Sequence, residues 1–310
     1  MNIFIWVVFI IIVILGFMGL YITLKTVKIK MKPRNHLESD YNARFPEEWK
    51  KKVSPWFLNV EKKIFPIQSP YGYPLECMEI PMEGSNRYVV LNHGVTTNKD
   101  YMSSLAYLYH TMGFHVFAFD ARAHGNSGGK TVTYGFYEKY DLEKVIQHIR
   151  MNAPKNHVLG LHGESMGAAI LLCYASGVQD NCDFYIADCP YSNIYEQVKN
   201  RAKEKINLPD FLMEALMTSA NLVSTLLFKF NFKKVDILAK IKRITNPVLI
   251  INCRDDDYIP PKMSQDLYDG LASSVKEIKW FDQGAHAGAF PLNVQEYMDT
   301  VKAFIDKVIA

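Results

Sequence analysis

The feature that most constrains the fold is a five-residue turn between two apolar runs, within residues 157–169. Residues 158–161 are typical of a short buried strand, and residues 166–172 of a helix packed on a sheet. The turn, residues 163–167, reads Gly-Glu-Ser-Met-Gly. A strand-to-helix turn this sharp holds its middle residue in a strained conformation and leaves room only for glycine on either side. We therefore expect the Ser165 hydroxyl to stand clear of the sheet, within reach of a base and a substrate carbonyl.

A serine nucleophile needs a base, and the base needs an acid that orients it. His286 lies in a loop of small residues between the last predicted strand and the last predicted helix, and we interpret it as the base. Three adjacent aspartates follow the predicted strand at residues 248–251. Their spacing to Ile259-Pro260 favours Asp256 as the acid, with Asp255 and Asp257 in reserve. The alternative is that all three belong to a solvated turn.

Two backbone amides are candidates for stabilising an oxyanion. The amide of Met166 lies at the start of the helix that follows Ser165, where it points toward the reacting carbonyl. The second donor should come from the loop after an early strand, and the amide of Val95, which follows the predicted strand at residues 87–91, is our candidate. We interpret His93 in the same loop as structural rather than as a second base.

Strand and helix patterns alternate along most of the chain, which predicts a mostly parallel sheet covered by helices on both faces. Residues 191–246 break this alternation, because they contain two helical patterns and no convincing strand. We interpret this segment as a small helical cap over the carboxyl edge of the sheet. Two alternatives stay open: the helices pack on the core, or their uncharged surface touches a bilayer.

The N-terminus contains 22 consecutive uncharged residues, at positions 3–24, which is long enough to cross a bilayer as a helix. We expect a retained transmembrane anchor. A cleaved signal peptide should instead have its positive charge before the apolar run, and a buried core helix should be less uniformly apolar. The basic residues that follow place the rest of the chain on the cytoplasmic side and suit contact with anionic lipid head groups: Lys25, Lys28, Lys30, Lys32 and Arg34.

Composition excludes several functions. Outside that basic cluster the chain has 30 basic and 32 acidic residues, so nothing favours a nucleic-acid partner. The five cysteines are an odd number within apolar runs, which indicates buried thiols in a reducing compartment. No metal-ligand spacing is present, and we expect neither a metal nor a cofactor. The predicted organisation is an anchor with its basic segment at 1–34, a connector packed on the body at 35–74, and a catalytic domain at 75–310 with its cap at 191–246.

With these segments in order, the chain resembles the α/β-hydrolase superfamily from about residue 75 to residue 310. The resemblance lies in the motifs at residues 92–94, 120–127, 163–167, 256–260 and 284–286. Within the superfamily the chain is similar to membrane-anchored bacterial esterases and to the serine aminopeptidase-like or lipase-like group. The resemblance implies an eight-stranded sheet, a triad of Ser165, Asp256 and His286, oxyanion donors at Met166 and Val95, and supporting roles for Arg122 and His124.

The leading functional prediction is a serine hydrolase that cleaves carboxylic esters with small or medium apolar acyl groups through an acyl-enzyme. The first alternative is an aminopeptidase, which needs an acidic group in the cap to hold a substrate amine; Glu196, Glu204 and Glu214 are available. Further alternatives are a lipase or thioesterase that acts on membrane lipids, and a catalytically silent membrane scaffold. The substrate is accordingly a small or lipid-like ester.

Overall fold

An eight-stranded sheet forms the centre of the protein. The computed structural model describes residues 3–31 and 43–309; Lys32, Arg34 and residues 35–42 of the predicted connector lie outside this part. The strands follow the order β1-β2-β4-β3-β5-β6-β7-β8. Only the pairs β1–β2 and β2–β4 are antiparallel. The strands are β1 (Lys63–Gln68), β2 (Pro74–Ile80), β3 (Arg87–Asn92), β4 (His115–Phe119), β5 (Val158–Glu164), β6 (Phe184–Asp188), β7 (Val248–Cys253) and β8 (Lys276–Phe281). The mostly parallel eight-stranded sheet is confirmed.

Two of the described helices precede the first strand, and the others lie between the strands or after the last one. They are α1 (Ile3–Val27), α2 (Glu47–Asn59), α3 (Ser103–Thr111), α4 (Glu138–Asn152), α5 (Met166–Gly177), α6 (Ile194–Lys203), α7 (Asp210–Phe228), α8 (Pro261–Gly270), α9 (Ala289–Leu292) and α10 (Val294–Ile309), with short 3-10 turns at Lys99–Met102, Phe232–Lys234 and Ile241–Arg243. Alternating strands and helices of this kind bury both faces of the sheet.

Helices cover the two faces of the sheet with separate apolar layers. One layer contains α4, α5, α8, the cap helices α6 and α7, and the end of α1. The opposite layer contains α2, α3, α9 and α10. In this second layer Trp49 of α2 is buried, stacks edge-on against Phe290 and donates from its indole nitrogen to the Ser104 hydroxyl at 3.1 Å. Residues of the predicted connector therefore form part of the core.

The sheet begins before residue 75, where we placed the start of the catalytic domain. β1 pairs with β2 along residues 63–68, with Pro66 opposite Glu76. A proline inside a short run argues against a strand, but it is tolerated at a sheet edge, where one side of the strand has no partner. The sheet therefore includes an edge strand from the segment that we predict as a connector.

The N-terminal helix α1 is long and apolar enough to cross a membrane, with a mean hydropathy of 3.1 over its most apolar window. Its first 12 residues, 3–14, are all exposed, whereas from Leu15 onward one side of the helix packs against the body and Phe17, Tyr21 and Lys25 stay exposed. The partner is α7, and the two helices approach closely at Gly19. α7 itself is a weaker candidate for a membrane helix, with a mean hydropathy of 1.5.

Candidate active site

Ser165 occupies the turn between β5 and α5 with φ 54° and ψ −114°, a left-handed conformation that is unfavourable for any residue with a side chain. The flanking glycines make this turn possible. A Cβ on Gly163 would lie 2.4 Å from the backbone of Gly167, and a Cβ on Gly167 would lie 2.0 Å from the carbonyl oxygen of Asn92. Strand and helix therefore approach too closely for any other residue at these two positions.

The structure brings Ser165, His286 and Asp256 together in one hydrogen-bonded chain. His286 Nε2 lies 2.9 Å from Ser165 Oγ, and His286 Nδ1 lies 2.9 Å from Asp256 Oδ2. Because a carboxylate only accepts, Nδ1 carries the proton and Nε2 presents its lone pair to the serine hydroxyl. The Asp256 side chain is fully buried, and its Oδ1 accepts from the backbone amides of Tyr258 and Ile259, each at 2.9 Å. These bonds hold the Asp256 carboxylate through the oxygen that does not bond to His286.

The His286 loop is held from two directions by residues that are not part of this chain of hydrogen bonds. Asp255 accepts from the amides of Gly284 and Ala285, at 3.2 and 2.9 Å. On the other side, the Arg44 guanidinium donates to the carbonyl oxygens of Gly284 and His286. The sequence predicts Asp255 only as an alternative to Asp256. Arg44 lies in the predicted connector, and no sequence pattern identifies it.

The two predicted oxyanion donors border the same space. Val95 and Met166 both line a cavity beside Ser165. A Cβ on Gly94, the residue before Val95, would lie 3.6 Å from Ser165 Cβ, so the loop that contains Val95 passes close to Ser165. The amide of Met166 is the first of α5, where helical amides have no partner within the helix.

The two neighbouring histidines, His93 and His124, have the surroundings of structural residues. His93 Nε2 accepts from the amide of Ala121, and its Nδ1 lies 2.8 Å from the carbonyl oxygen of Gly94, so both nitrogens are used. Burial lowers the pKa of His93 and lowers that of His124 to about 3. Arg122 donates to the carbonyl oxygen of Thr131. Supporting roles for Arg122 and His124 stay a prediction.

A buried polar network lies behind the acid loop. Tyr297 donates to Asp188 at 2.9 Å, His162 Nε2 lies 3.0 Å from the Tyr297 hydroxyl, and His162 Nδ1 lies 2.9 Å from the Tyr109 hydroxyl. Burial lowers the pKa of His162 to about 3, which keeps the ring neutral. Burial, together with the neighbouring Glu164, raises the pKa of Asp188 well above its usual range. The network joins β5, β6, α3 and α10 beneath the site, and no sequence pattern predicted it.

One group of residues in the described part of the chain has ligand atoms close enough to hold a metal ion. Cys189, Asp256 and His286 offer such atoms within 4.8 Å of one another. However, His286 Nδ1 and the Asp256 carboxylate already bond to each other. Burial raises the pKa of the Cys189 thiol well above its usual range, which disfavours the thiolate that metals bind. The donor set therefore fits a buried thiol beside a hydrogen-bonded pair better than a metal centre.

Two cavities open on Ser165. The first, of about 540 Å³, lies toward His286 and is bordered by Arg44 and Thr97. The second, of about 600 Å³, runs from Ser165 beneath the cap to α1. Both volumes are in the range of small-molecule binding sites. Tyr134 lines the second cavity, whereas Phe136, a neighbouring aromatic residue, packs against Phe230.

A serine on a strand-to-helix turn, an aspartate after the seventh strand and a histidine after the eighth, on a sheet of this order, define an α/β-hydrolase. Comparison with known proteins agrees. The family model for serine aminopeptidases, S33 (Hydrolase_4), matches residues 84–235. The uncharacterized protein YqkD of Bacillus subtilis is 37% identical over 255 residues, which are 81% of this chain and 82% of that protein. The chain therefore belongs to the α/β-hydrolase superfamily.

Two further likenesses are more distant. The lysophosphatidylserine lipase ABHD12 of Xenopus tropicalis is 26% identical over 221 residues, which are 67% of this chain and 52% of that protein. This chain thus matches about half of the length of that lipase. The esterase Pf2001 of Pyrococcus furiosus has a TM-score of 0.68 at 24% identity, covering 83% of this chain and 96% of the esterase. The likeness to Pf2001 shows the fold alone.

Proposed function

We propose that this protein hydrolyses carboxylic esters through an acyl-enzyme on Ser165. The observation that carries the proposal is the unbroken chain of hydrogen bonds from Ser165 through His286 to Asp256, at the junction of two cavities. This arrangement allows a serine hydroxyl to lose its proton at the moment when it attacks a carbonyl carbon.

The proposed reaction has two stages. In the first, His286 Nε2 takes the Ser165 proton as Oγ attacks the carbonyl carbon, and the imidazolium then gives that proton to the departing alcohol oxygen. In the second, His286 takes a proton from water, whose oxygen attacks the acyl carbon, and returns it to Ser165 as the carboxylic acid leaves. Asp256 stabilises the imidazolium in both stages. The amides of Met166 and Val95 are the proposed donors to the oxyanion.

The surroundings of the cap carboxylates favour an ester over an aminopeptidase substrate. Each of the three candidates already faces a cation or a hydroxyl: Glu196 pairs with Lys199 at 2.7 Å, Glu204 with Arg201 at 2.8 Å, and Glu214 accepts from Tyr195 at 2.6 Å. None of these three borders either cavity at Ser165. A substrate ammonium group would find none of them beside the nucleophile. The relative ABHD12, named as a lipase, also fits an ester substrate.

Labelling with a fluorophosphonate tests the proposal, because this probe reacts only with an activated serine. The full-length protein should label on Ser165, and Ser165→Ala should lose the label. Ser165→Ala should also lose hydrolysis of p-nitrophenyl esters by about 10⁴-fold or more. His286→Gln should behave in the same way, whereas His157→Gln, which removes a histidine just before β5, at the opposite end of that strand from Ser165, should retain labelling and turnover. Failure of the intact protein to label would favour a silent scaffold, and faster cleavage of aminoacyl-nitroanilides than of esters would favour a peptidase.

We also propose that α1 anchors the protein in a membrane with the catalytic body on the cytoplasmic side. The apolar helix is long enough to cross a bilayer, and the three described lysines after residue 24 are exposed. Positive charge concentrated on one side of a membrane helix marks the cytoplasmic side.

A further inference from the structure

The cavity that runs from Ser165 beneath the cap has an unusual wall, because part of it comes from the N-terminal helix. Ile22 and Thr26 of α1, and Ile29 just after it, line the cavity. The opposite wall comes from the cap helix α6, including Ile194 and Val198. The predicted anchor is therefore part of the space next to the proposed nucleophile.

Specific contacts hold α1 in this position. Thr23 donates to the carbonyl oxygen of Ala220 in α7 at 2.8 Å, and Ser219 donates to the carbonyl oxygen of Leu15 at 2.9 Å. At the end of the helix, the Tyr134 hydroxyl donates to the carbonyl oxygen of Thr26 at 2.8 Å. These bonds lie on both sides of the residues that line the cavity, so this wall is fixed to the body.

The chemistry of the lining combines apolar walls with positive charge. The apolar lining comes from α1, from α6 and from residues 29, 95, 166, 206 and 259. Three cations border the same cavity, Lys25, Arg201 and Lys205, and no aspartate or glutamate of the described residues does. Arg201 is also paired with Glu204 and lies 4.5 Å above the Tyr258 ring, which leaves the two lysines as the stronger sites for a ligand charge. An apolar chain attached to a negatively charged group matches this lining.

We propose that the last two turns of α1 form one wall of the substrate site, and that this site takes a single-chain ester bearing a negatively charged group. The acyl chain lies between α1 and α6, the ester carbonyl reaches Ser165, and the charged group faces Lys25 and Lys205. The identity of the bound molecule as a substrate rests on the proposed function, whereas the site itself is testable by binding.

The binding experiment uses full-length Ser165→Ala protein in nanodiscs of phosphatidylcholine, so that turnover plays no part. Calorimetric titration with dodecyl phosphate measures affinity for the charged amphiphile. In this background Lys25→Ala should weaken binding by about 5- to 10-fold, because a charged hydrogen-bond donor at the site is lost. Lys28→Ala is the matched control: it removes the same charge from an exposed residue that does not border the cavity, and affinity should change less than about twofold. Equal losses in the two variants would overturn the proposal, since the lysines would then act only as a basic surface.

The position of the wall is tested by a substitution that fills the space beside it. Ile29→Trp in the active protein should reduce hydrolysis of a p-nitrophenyl dodecanoate at least about 10-fold relative to the butyrate ester, because the longer chain needs the space beside α1. Phe17→Trp, at an exposed position of α1, should leave this ratio unchanged. An unchanged ratio in Ile29→Trp would contradict the proposal. If the intact protein fails to react with a fluorophosphonate but the Lys25 effect on dodecyl phosphate binding persists, the proposed function fails and the site stands.

Discussion

Residues around His286 show how the position of a base depends on its loop. The loop contains two non-glycine residues with left-handed backbone, Ala285 at φ 50° and Ala287 at φ 56°. Such conformations are unfavourable unless neighbouring contacts fix them. Asp255 and Arg44 supply those contacts by bonding to backbone groups of the loop. A Cβ on Gly288 would lie 2.0 Å from the Arg44 guanidinium, so only glycine leaves room for this contact.

We therefore predict that Arg44 positions the base without taking part in the reaction. Arg44→Ala should lower kcat for p-nitrophenyl esters by about 10- to 100-fold, because a small displacement of His286 lengthens the bond to Ser165. KM should change little, and Arg44→Lys should recover part of the loss. Steady-state kinetics of the three proteins measure this.

Arg254→Ala is the control for Arg44→Ala. Arg254 is exposed and pairs with Asp282 close to the same loop in the chain, but it does not bond to residues 284–287. Its removal should change kcat less than about twofold, as is usual for exposed ion pairs. A raised KM with normal kcat in Arg44→Ala would show instead that Arg44 contacts the substrate.

At the scale of single residues, the sequence predicts those site residues that a local pattern identifies. Ser165, Asp256 and His286 were proposed because each follows a strand in a recognisable order, and the structure places their side chains at hydrogen-bond distance. No sequence pattern identifies Arg44. It lies 242 residues from His286, and an isolated arginine in a charged connector has no pattern that distinguishes it from a solvated one.

Among the secondary-structure elements, the pair α1–α7 links the N-terminal helix to the cap. A Cβ on Gly19 would lie 2.6 Å from the Ser219 hydroxyl and 2.9 Å from the backbone nitrogen of Ala220. Small residues at such a crossing allow two helix backbones to approach closely. By contrast, a Cβ on Gly16, one turn earlier in α1, would meet nothing within 4 Å.

This difference gives a matched pair of substitutions in one helix. Gly19→Leu should lower the free energy of unfolding by about 1–3 kcal/mol, because the new side chain forces α1 away from α7. Gly16→Leu should not lower it, since leucine favours a helix over glycine by roughly 0.8 kcal/mol and meets no obstacle. Denaturant unfolding of the full-length protein in detergent measures both. Equal destabilisation by the two variants would show that the close approach at Gly19 contributes nothing specific.

The elements themselves were largely predictable, but their contacts were not. Alternating patterns predicted the sheet and its covering helices, and 22 uncharged residues predicted α1. The edge strand β1 was missed because of Pro66. That α1 borders the site could not be predicted, because the bond between Thr23 and Ala220 joins residues 197 positions apart and helix packing at that range has no local signal.

For the whole molecule, the length of α1 determines how the body must sit on a membrane. The exposed residues 3–14 span about 18 Å as a helix, and a bilayer core is about 30 Å thick. If α1 crosses the bilayer, roughly eight more residues must lie within the hydrocarbon. That stretch, from Leu15 to Ile22, is the part that packs on α7. The cap must then be partly immersed. The end of α7 suits this, since Leu222, Leu226 and Leu227 are exposed by 57, 69 and 63%.

We predict that the emission of an environment-sensitive dye attached to Leu226→Cys shifts to shorter wavelength in a phosphatidylcholine nanodisc. The reference is the emission of the same labelled protein in denaturant without detergent. The five native cysteines are buried, so labelling should be selective for the new thiol. Leu58→Cys is the control, because Leu58 is equally exposed at 66% on α2, which covers the opposite face of the sheet. A dye at residue 58 should report water in the nanodisc. Matching emission at the two positions would show that the cap does not enter the lipid.

If α1 lies in a bilayer as we propose, its place in the wall of the cavity at Ser165 has a mechanical consequence. An apolar helix responds to a thicker or thinner bilayer by changing its tilt. Here any tilt of α1 must either move Ile22 and Thr26 relative to α6 or carry the cap along with it. Under this proposal, a change in lipid acyl-chain length that tilts α1 without the cap would change the width of the cavity at Ser165, and the thickness of the membrane would then influence the proposed turnover.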